Sequence, residues 1–321
     1  MSMEEGVTMA GEHVDVSNFA RAESNRMFDS FGGEIGVWTH TRTVTPLDNQ
    51  PVIRQNRDTL YSSVIVDLSQ PATVTLPDAG DRYLSVMVVN QDHFINRIYH
   101  EAGTYELTLD EFDTQFVCLA ARIFVDPNDP DDVRTVNALQ DQLVLDAPGD
   151  TPFVCPDYDV TSFDGVRNAL LQLARFSGGS AFANAFGSKD SVDPIMHLIG
   201  TAAGWGGLPP SEAMYLSFEP DGPLGEYKME LGDVPVGAFW SVSLYNRAGY
   251  FEENARGLYS VNSITAERNA DDTATINFGV SDADKPNYFP IMDGWNYTVR
   301  LYQPSQSIID GTWKLPSLEP A

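Results

Sequence analysis

From Thr39 onward the chain alternates polar and apolar residues in short runs rich in Val, Ile, Thr and Tyr, each closed by Pro, Gly or Asp. A period of two over four to eight residues is the pattern of a half-buried strand, and turn residues between the runs set antiparallel neighbours. Six such runs fall between residues 39 and 126: "THTRTVTP", "TLYSSVIVDLS", "ATVTLP", "RYLSVMVVNQ", "GTYELTL" and "QFVCLAARIFV". This is the pattern of a β-sandwich. After Tyr215 alternation returns in "EYKMELG", "GAFWSVSLYN", "LYSVNS", "TATINFGV", "NYTVRLYQP" and "GTWKLPSL", predicting a second all-β domain of jelly-roll type.

Between and before these blocks the period changes to that of a helix. In 17–31 Phe19, Ala22, Arg26 or Met27 and Phe28 recur at helical spacing behind a Ser17 or Asn18 cap. "DPNDPDDVRTVNALQDQLVL" has an Asp cap followed by Val133, Val136, Leu139 and Leu143, and Val166, Leu170, Leu171, Leu173 and Phe176 mark a second helix running to Gly178–Gly179. A third, short helix in "SVDPIMHLIG" precedes a Gly- and Pro-rich boundary near Pro209. The expected organisation is an N-terminal helical segment (1–38), a β-sandwich (39–126), a helical region (127–210) and a jelly-roll β-domain (211–321), mainly β with a helical insert.

Charge narrows the partners. With 46 acidic and 19 basic residues the chain carries a net charge of −27. Phosphate backbones and anionic lipid surfaces are bound through Lys and Arg patches, so nucleic acid and membrane are not expected partners. Such acidity suits life in high salt, where screening removes self-repulsion, and equally a merely acidic protein; refolding in molar salt after unfolding at low salt separates the two. The N-terminus lacks the basic-then-apolar pattern of an export signal and no run approaches a membrane span, so a cytoplasmic location is expected. Cys118 and Cys155 show no metal-ligand spacing and read as idle thiols or as a disulfide.

The segments "IRQNRDTLYSSVIVDLSQPATVTLPDAGDRYLSVMVVNQ" and "GTYELT" resemble the bacterial domain-of-unknown-function family 1254. "PPSEAMYLSFEPDG", "GAFWSVSLYNRAGYFEENARGLYSVNS" and "NYTVRLYQPSQSIIDGTWKLPSL" resemble family 1214, which commonly follows it in one chain. The resemblance implies a sandwich, a helical segment and a C-terminal jelly roll. Its members are often labelled hydrolases or esterases, without a catalytic signature to carry over.

The densest group of hydrogen-bonding side chains is Arg54, Asn56, Arg57 and Asp58, followed by Tyr61, at the mouth of a strand. Such a set can hold a ligand carboxylate or phosphate, or satisfy loop carbonyls and amides that would otherwise be buried unpaired. Asp58, Asp92 and His93 are candidate acid–base groups, and Trp205, in a glycine-rich turn, could stack on a sugar or other ring. His93, His100 and Asp92 could together offer ligands to a divalent metal, or serve as hydrogen-bonding loop residues; no cofactor is expected. His197 lies on an apolar helical face and reads as a core histidine. No Gly-x-Ser-x-Gly elbow or phosphate loop occurs, which excludes a serine α/β-hydrolase and nucleotide cofactors. Two expectations remain: a hydrolase of an ester, phosphoester or glycoside at a cleft between the β-domains, or a non-catalytic module for a small molecule or protein. Edge strands in both sandwiches are compatible with a homo-oligomer.

Overall fold

The computed structural model describes residues 11–32, 34–50, 53–176, 184–281 and 284–321. Along the first half run α1 (Phe19–Phe31), β1 (Thr39–His40), β2 (Thr59–Asp67), β3 (Ala72–Leu76), β4 (Leu84–Asn90), β5 (Ile95–Tyr99), β6 (Gly103–Leu107), α2 (Leu109–Phe112), β7 (Phe116–Phe124), α3 (Pro130–Gln140) and β8 (Val144–Asp146). Then come α4 (Val160–Ala174), α5 (Pro194–Gly204), β9 (Ala213–Phe218), β10 (Tyr227–Leu231), β11 (Trp240–Tyr245), β12 (Ser260–Asn262), β13 (Ala274–Gly279), β14 (Tyr288–Pro290), β15 (Asn296–Tyr302), α6 (Gln306–Ile309) and β16 (Glu319–Pro320).

The first β-domain packs an antiparallel sheet, β1-β2-β7-β4-β5, over a smaller one, β6-β3-β8. One set of alternate residues, among them Leu60, Val64, Val66, Val86, Val88, Leu119 and Ile123, meets Val74, Leu76, Phe112 and Val136 in a dry core. β8 comes from the mainly helical stretch and pairs with β3, so that stretch is tied into the first domain. In the second β-domain the sheets β14-β13-β10-β16 and β12-β11-β15-β9 enclose Met229, Val242, Ile276, Phe278, Phe289, Val299 and Leu301. All its pairings are antiparallel except β13 with β14. The fold is mainly β with a minority of helices, as the periodicity predicts.

The caps of α3 and α5 follow the sequence: Asp129 and Asp193 accept backbone N–H bonds ahead of a proline in the first turn. α4 ends at Ala174; Leu173 and Phe176 are 53% and 85% exposed, and its inner face is made by Phe163 and Leu170. The Gly178–Gly179 stop lies outside the described residues. "GTWKLPSL" is not a strand. Its Trp313 N–H is spent on Ser307 O, Pro316 has none to give, and Trp313, Leu315 and Leu318 pack as irregular chain against the second core. β5, β8, β9, β14 and β16 were missing from the expected strands, β8 lying in a stretch read as helix. Among the described residues no helix is long and apolar enough to cross a membrane. Cys118 and Cys155 are free thiols; burial pushes the Cys118 thiol up to about 12.

Candidate functional site in the seam between the β-domains

The polar segment at the mouth of β2 docks into the second β-domain. Arg54 N–H donates to Gly249 O (2.7 Å), and the Arg300 guanidinium donates to Arg54 O (2.6 Å), Tyr245 Oη (2.7 Å) and Ser243 Oγ (2.9 Å). Tyr245 Oη donates in turn to Gln55 O (2.8 Å). Asn56 Nδ2 donates to Tyr302 Oη (2.9 Å) and Thr59 Oγ1 (3.0 Å), while its Oδ1 accepts from Asp58 N (2.9 Å). Asp58, fully enclosed, accepts from Ser260 Oγ and Asn262 Nδ2, both at 3.0 Å. Arg57 donates to Thr45 O and lies 5.1 Å from the Tyr259 ring and 5.7 Å from that of Phe251. Arg54, by contrast, reaches outward to Asn296 Oδ1 (3.3 Å) and Glu219 (2.8 Å). Arg54, Asn56, Arg57 and Asp58 thus sit together as a latch between domains, in which Asp58 Oδ1 takes both donors and Oδ2 is buried without a partner among the described residues.

Asp92, His93 and Trp205 lie elsewhere, where α1 and α5 cover the first sheet. Asp92 pairs with Arg21 at 2.7 Å. His93 is fully buried and stacks on Trp205 (5.3 Å) and His197 (5.4 Å). Its Nε2 accepts from Gly206 N (2.9 Å), which places the proton on Nδ1, facing Thr201 Oγ1 at 2.8 Å. Burial holds its pKa well below the usual histidine range, so the ring is neutral. His197 is a core histidine, with Ala185 O (3.1 Å) and Asp92 O (3.0 Å) at its two nitrogens. Trp205 Nε1 donates to Ser24 Oγ (3.0 Å).

The shared metal site of His93, His100 and Asp92 does not form. The intervening "INRIY" is the strand β5, not a loop, and seven residues of extended chain put the two histidines roughly 20 Å apart. Among the described residues no group of three or more His, Cys, Asp or Glu is placed to hold a metal ion.

His100 instead spans the seam. Its Nε2 is 2.7 Å from Glu212 Oε2 and its Nδ1 is 3.0 Å from Leu84 O. Burial alone would lower its pKa, but the Glu212 hydrogen bond and charge outweigh that and raise it. His100 borders a cleft of about 800 Å³ walled by both β-domains. Tyr83, Phe124 and Phe239 form its aromatic side; Asp78, Asp81, Glu101, Asp126, Asp129 and Asp132 supply carboxylates. Arg82, on the same wall, is paired with Asp132. Asp81 and Glu101 enter no ion pair among the described residues.

Tyr61 occupies a second part of the seam. It stands opposite Arg122 in the β2–β7 register, and Arg122 stands opposite Ser85 in β7–β4, so the three share the face turned away from the first core. The Arg122 guanidinium lies 5.8 Å from the Tyr61 ring and donates to Gly206 O (2.7 Å). Tyr215 and Arg300, opposite one another in β9–β15, with Tyr302 two residues on, come from the second domain. Arg122, Arg300, Tyr215, Tyr302 and Glu212 were not named as site residues from sequence, and His100 only as a possible metal ligand, although a single Arg inside the apolar runs "QFVCLAARIFV" and "NYTVRLYQP" was a readable signal.

Comparison with known proteins agrees with this two-part architecture. The model of a protein family of unknown function, DUF1254, matches residues 35–106, and that of a second family of unknown function, DUF1214, matches residues 220–306. The crystal structure of the VPA0106 protein from Vibrio parahaemolyticus superposes with a TM-score of 0.74 at 17% identity, covering 95% of this chain and 97% of that one. An uncharacterised protein from Burkholderia cenocepacia superposes with a TM-score of 0.54 at 14% identity, covering 95% and 87%. These likenesses speak to the fold. No curated protein matches the chain. The chain is therefore one that joins a DUF1254 region, N-terminal, to a DUF1214 region, C-terminal, with its polar latch at their junction.

Proposed function

We propose that the chain is a small-molecule binding module whose ligand, an organic cation, sits in the cleft between the β-domains. The observation that carries this reading is the cleft itself: about 800 Å³, with Tyr83 and Phe239 beside carboxylates that include the unpaired Asp81 and Glu101. Pockets for small molecules run from about 300 to about 1,000 Å³, and a cationic group gains both from carboxylates and from aromatic faces. The hydrolase reading draws less support, because Asp58, Asp92 and His93 are each engaged in bonds that hold the fold, and His100 has a protein acceptor at both nitrogens.

Calorimetric titration with benzylamine tests the proposal. Saturable binding is expected, weakened at least tenfold by Asp81→Asn combined with Glu101→Gln. Equal affinity in that double variant, or no saturable heat at millimolar amine, would overturn it. Turnover of an ester, phosphoester or glycoside panel that disappears in His100→Gln would put the hydrolase in its place.

A further inference from the structure

A second, separate site follows from Arg122. A guanidinium carries five N–H donors and stays charged in any protein environment. That of Arg122 is surrounded by protein, yet among the described residues it makes one hydrogen bond to oxygen, Gly206 O, and a long 3.9 Å contact to Met87 Sδ. Among the described residues it pairs with no carboxylate. This is notable in a chain with 46 acidic residues, 27 more than it has Lys and Arg. Arg300 shows what a structural arginine looks like in the same seam: its fork is spent on Arg54 O, Ser243 Oγ and Tyr245 Oη.

What gathers about Arg122 is phenol. Tyr61, Tyr215, Tyr83 and Tyr302 all lie near it, with the Tyr61 ring 5.8 Å from its guanidinium. Tyr83 Oη is committed to Ser85 Oγ (3.0 Å). Tyr302 Oη accepts from Asn56, which leaves its own proton to give. Tyr61 makes no side-chain hydrogen bond among the described residues, and Tyr215 Oη accepts from the Leu208 backbone, which leaves its own proton to give. Tyr215 keeps 41% of its surface reachable by water, and Tyr61 and Arg122 are each part-exposed, so this group opens to solvent at the seam, and that opening is called the hollow below. The floor of this hollow is Tyr61 and Arg122 on the first sheet, one wall is the Gly206 turn, and the other is Tyr215 and Tyr302 of the second domain.

We infer that this hollow is a binding site for a small carboxylate, with the Arg122 fork on the two carboxylate oxygens and hydroxyl protons of Tyr61, Tyr215 and Tyr302 around them. The planar fork matches a carboxylate in two parallel bonds, and phenol rings on both sides favour a flat body. An ion of this kind supplies the counter-charge that the chain itself withholds. His93 is a positioning residue here: by holding Gly206 N it fixes the turn whose carbonyl anchors Arg122.

Titration with benzoate, acetate and inorganic phosphate at constant ionic strength tests the site. Benzoate is expected to bind in a 1:1 ratio, and Arg122→Gln to weaken it at least tenfold while leaving benzylamine binding in the other cleft unchanged. Tyr215→Phe keeps the guanidinium and the ring, so it serves as the control if Arg122→Gln folds poorly. Loss of one hydrogen bond to a charged group predicts a weakening of about tenfold. Benzoate affinity equal in the wild type and both variants, or no saturable benzoate binding at millimolar concentration, would overturn the inference. Phosphate binding tighter than both carboxylates would overturn the carboxylate assignment.

Discussion

The latch around residues 54–58 and the hollow around Arg122 are built from the same residue types, in the same seam, to opposite ends. In the latch, polar groups meet protein partners: Asp58 takes two donors from β12, and Arg300 divides its fork among backbone and hydroxyl oxygens. In the hollow, a guanidinium of equal charge is left with one carbonyl. Polar groups sealed between two domains specify how those domains dock, whereas donors that keep surface open to water can receive something from outside. The two cases differ in access: Asp58 is sealed, with its Oδ2 unpartnered among the described residues, while Tyr61, Arg122 and Tyr215 keep surface that water reaches.

The largest effect expected on the latch is from Asp58→Ala. It strands Ser260 Oγ and Asn262 Nδ2 in a sealed interface, and a loss of about 3 kcal/mol in urea unfolding is expected from two bonds of this kind. Asp58→Asn, which keeps an acceptor, should cost less than half of that; equal losses would mean that the negative charge matters more than the bonds. Neither substitution touches the hollow, so benzoate affinity in folded protein should stay within about twofold, as expected of independent sites.

The alternating runs made both β-domains legible, because a strand with one dry face writes its geometry into every second residue. β5 escaped because "INRIY" has only one buried position, Ile95. The site was legible in part. Tyr61 and the polar run before β2 stood out as a cluster along the chain. Their partners Arg122, Tyr215, Arg300 and Tyr302 lie between 61 and 248 residues away from them in sequence, and only the packing of two sheets brings them together. The run also bonds differently from its appearance: Asn56, Arg57 and Asp58 meet protein partners, while a lone arginine in an apolar strand, Arg122, makes one hydrogen bond to oxygen among the described residues.

A smaller effect, read through pH, sharpens the comparison at a third point of the seam. His100 has a folded pKa raised above its ordinary 6.5, so its bond to Glu212 adds stability that is fully present below about 6.5 and lost as pH climbs through the higher folded value. The difference in unfolding free energy between wild type and His100→Gln should be roughly 1 kcal/mol under mildly acidic conditions and shrink on the alkaline side. A difference that grows with pH would break the assignment. The smallest effect is expected from Arg54→Ala. Its partner Glu219 is exposed, and such pairs contribute about 0.5 kcal/mol. Benzylamine and benzoate affinities should not move, and a tenfold loss of either would return Arg54 to the ligand-binding set.

Gly206 adopts φ +74°, with its N–H held by His93 and its C=O by Arg122. Any L-residue there would tend to rotate the flanking peptide planes out of register, spoiling both anchors at once. For anyone wishing to re-tune what the hollow accepts, this glycine is closed territory, while Tyr61 and Tyr215, which hold neither Gly206 nor the Arg122 anchor, are the positions where a library of variants can change selectivity without dismantling the support beneath it.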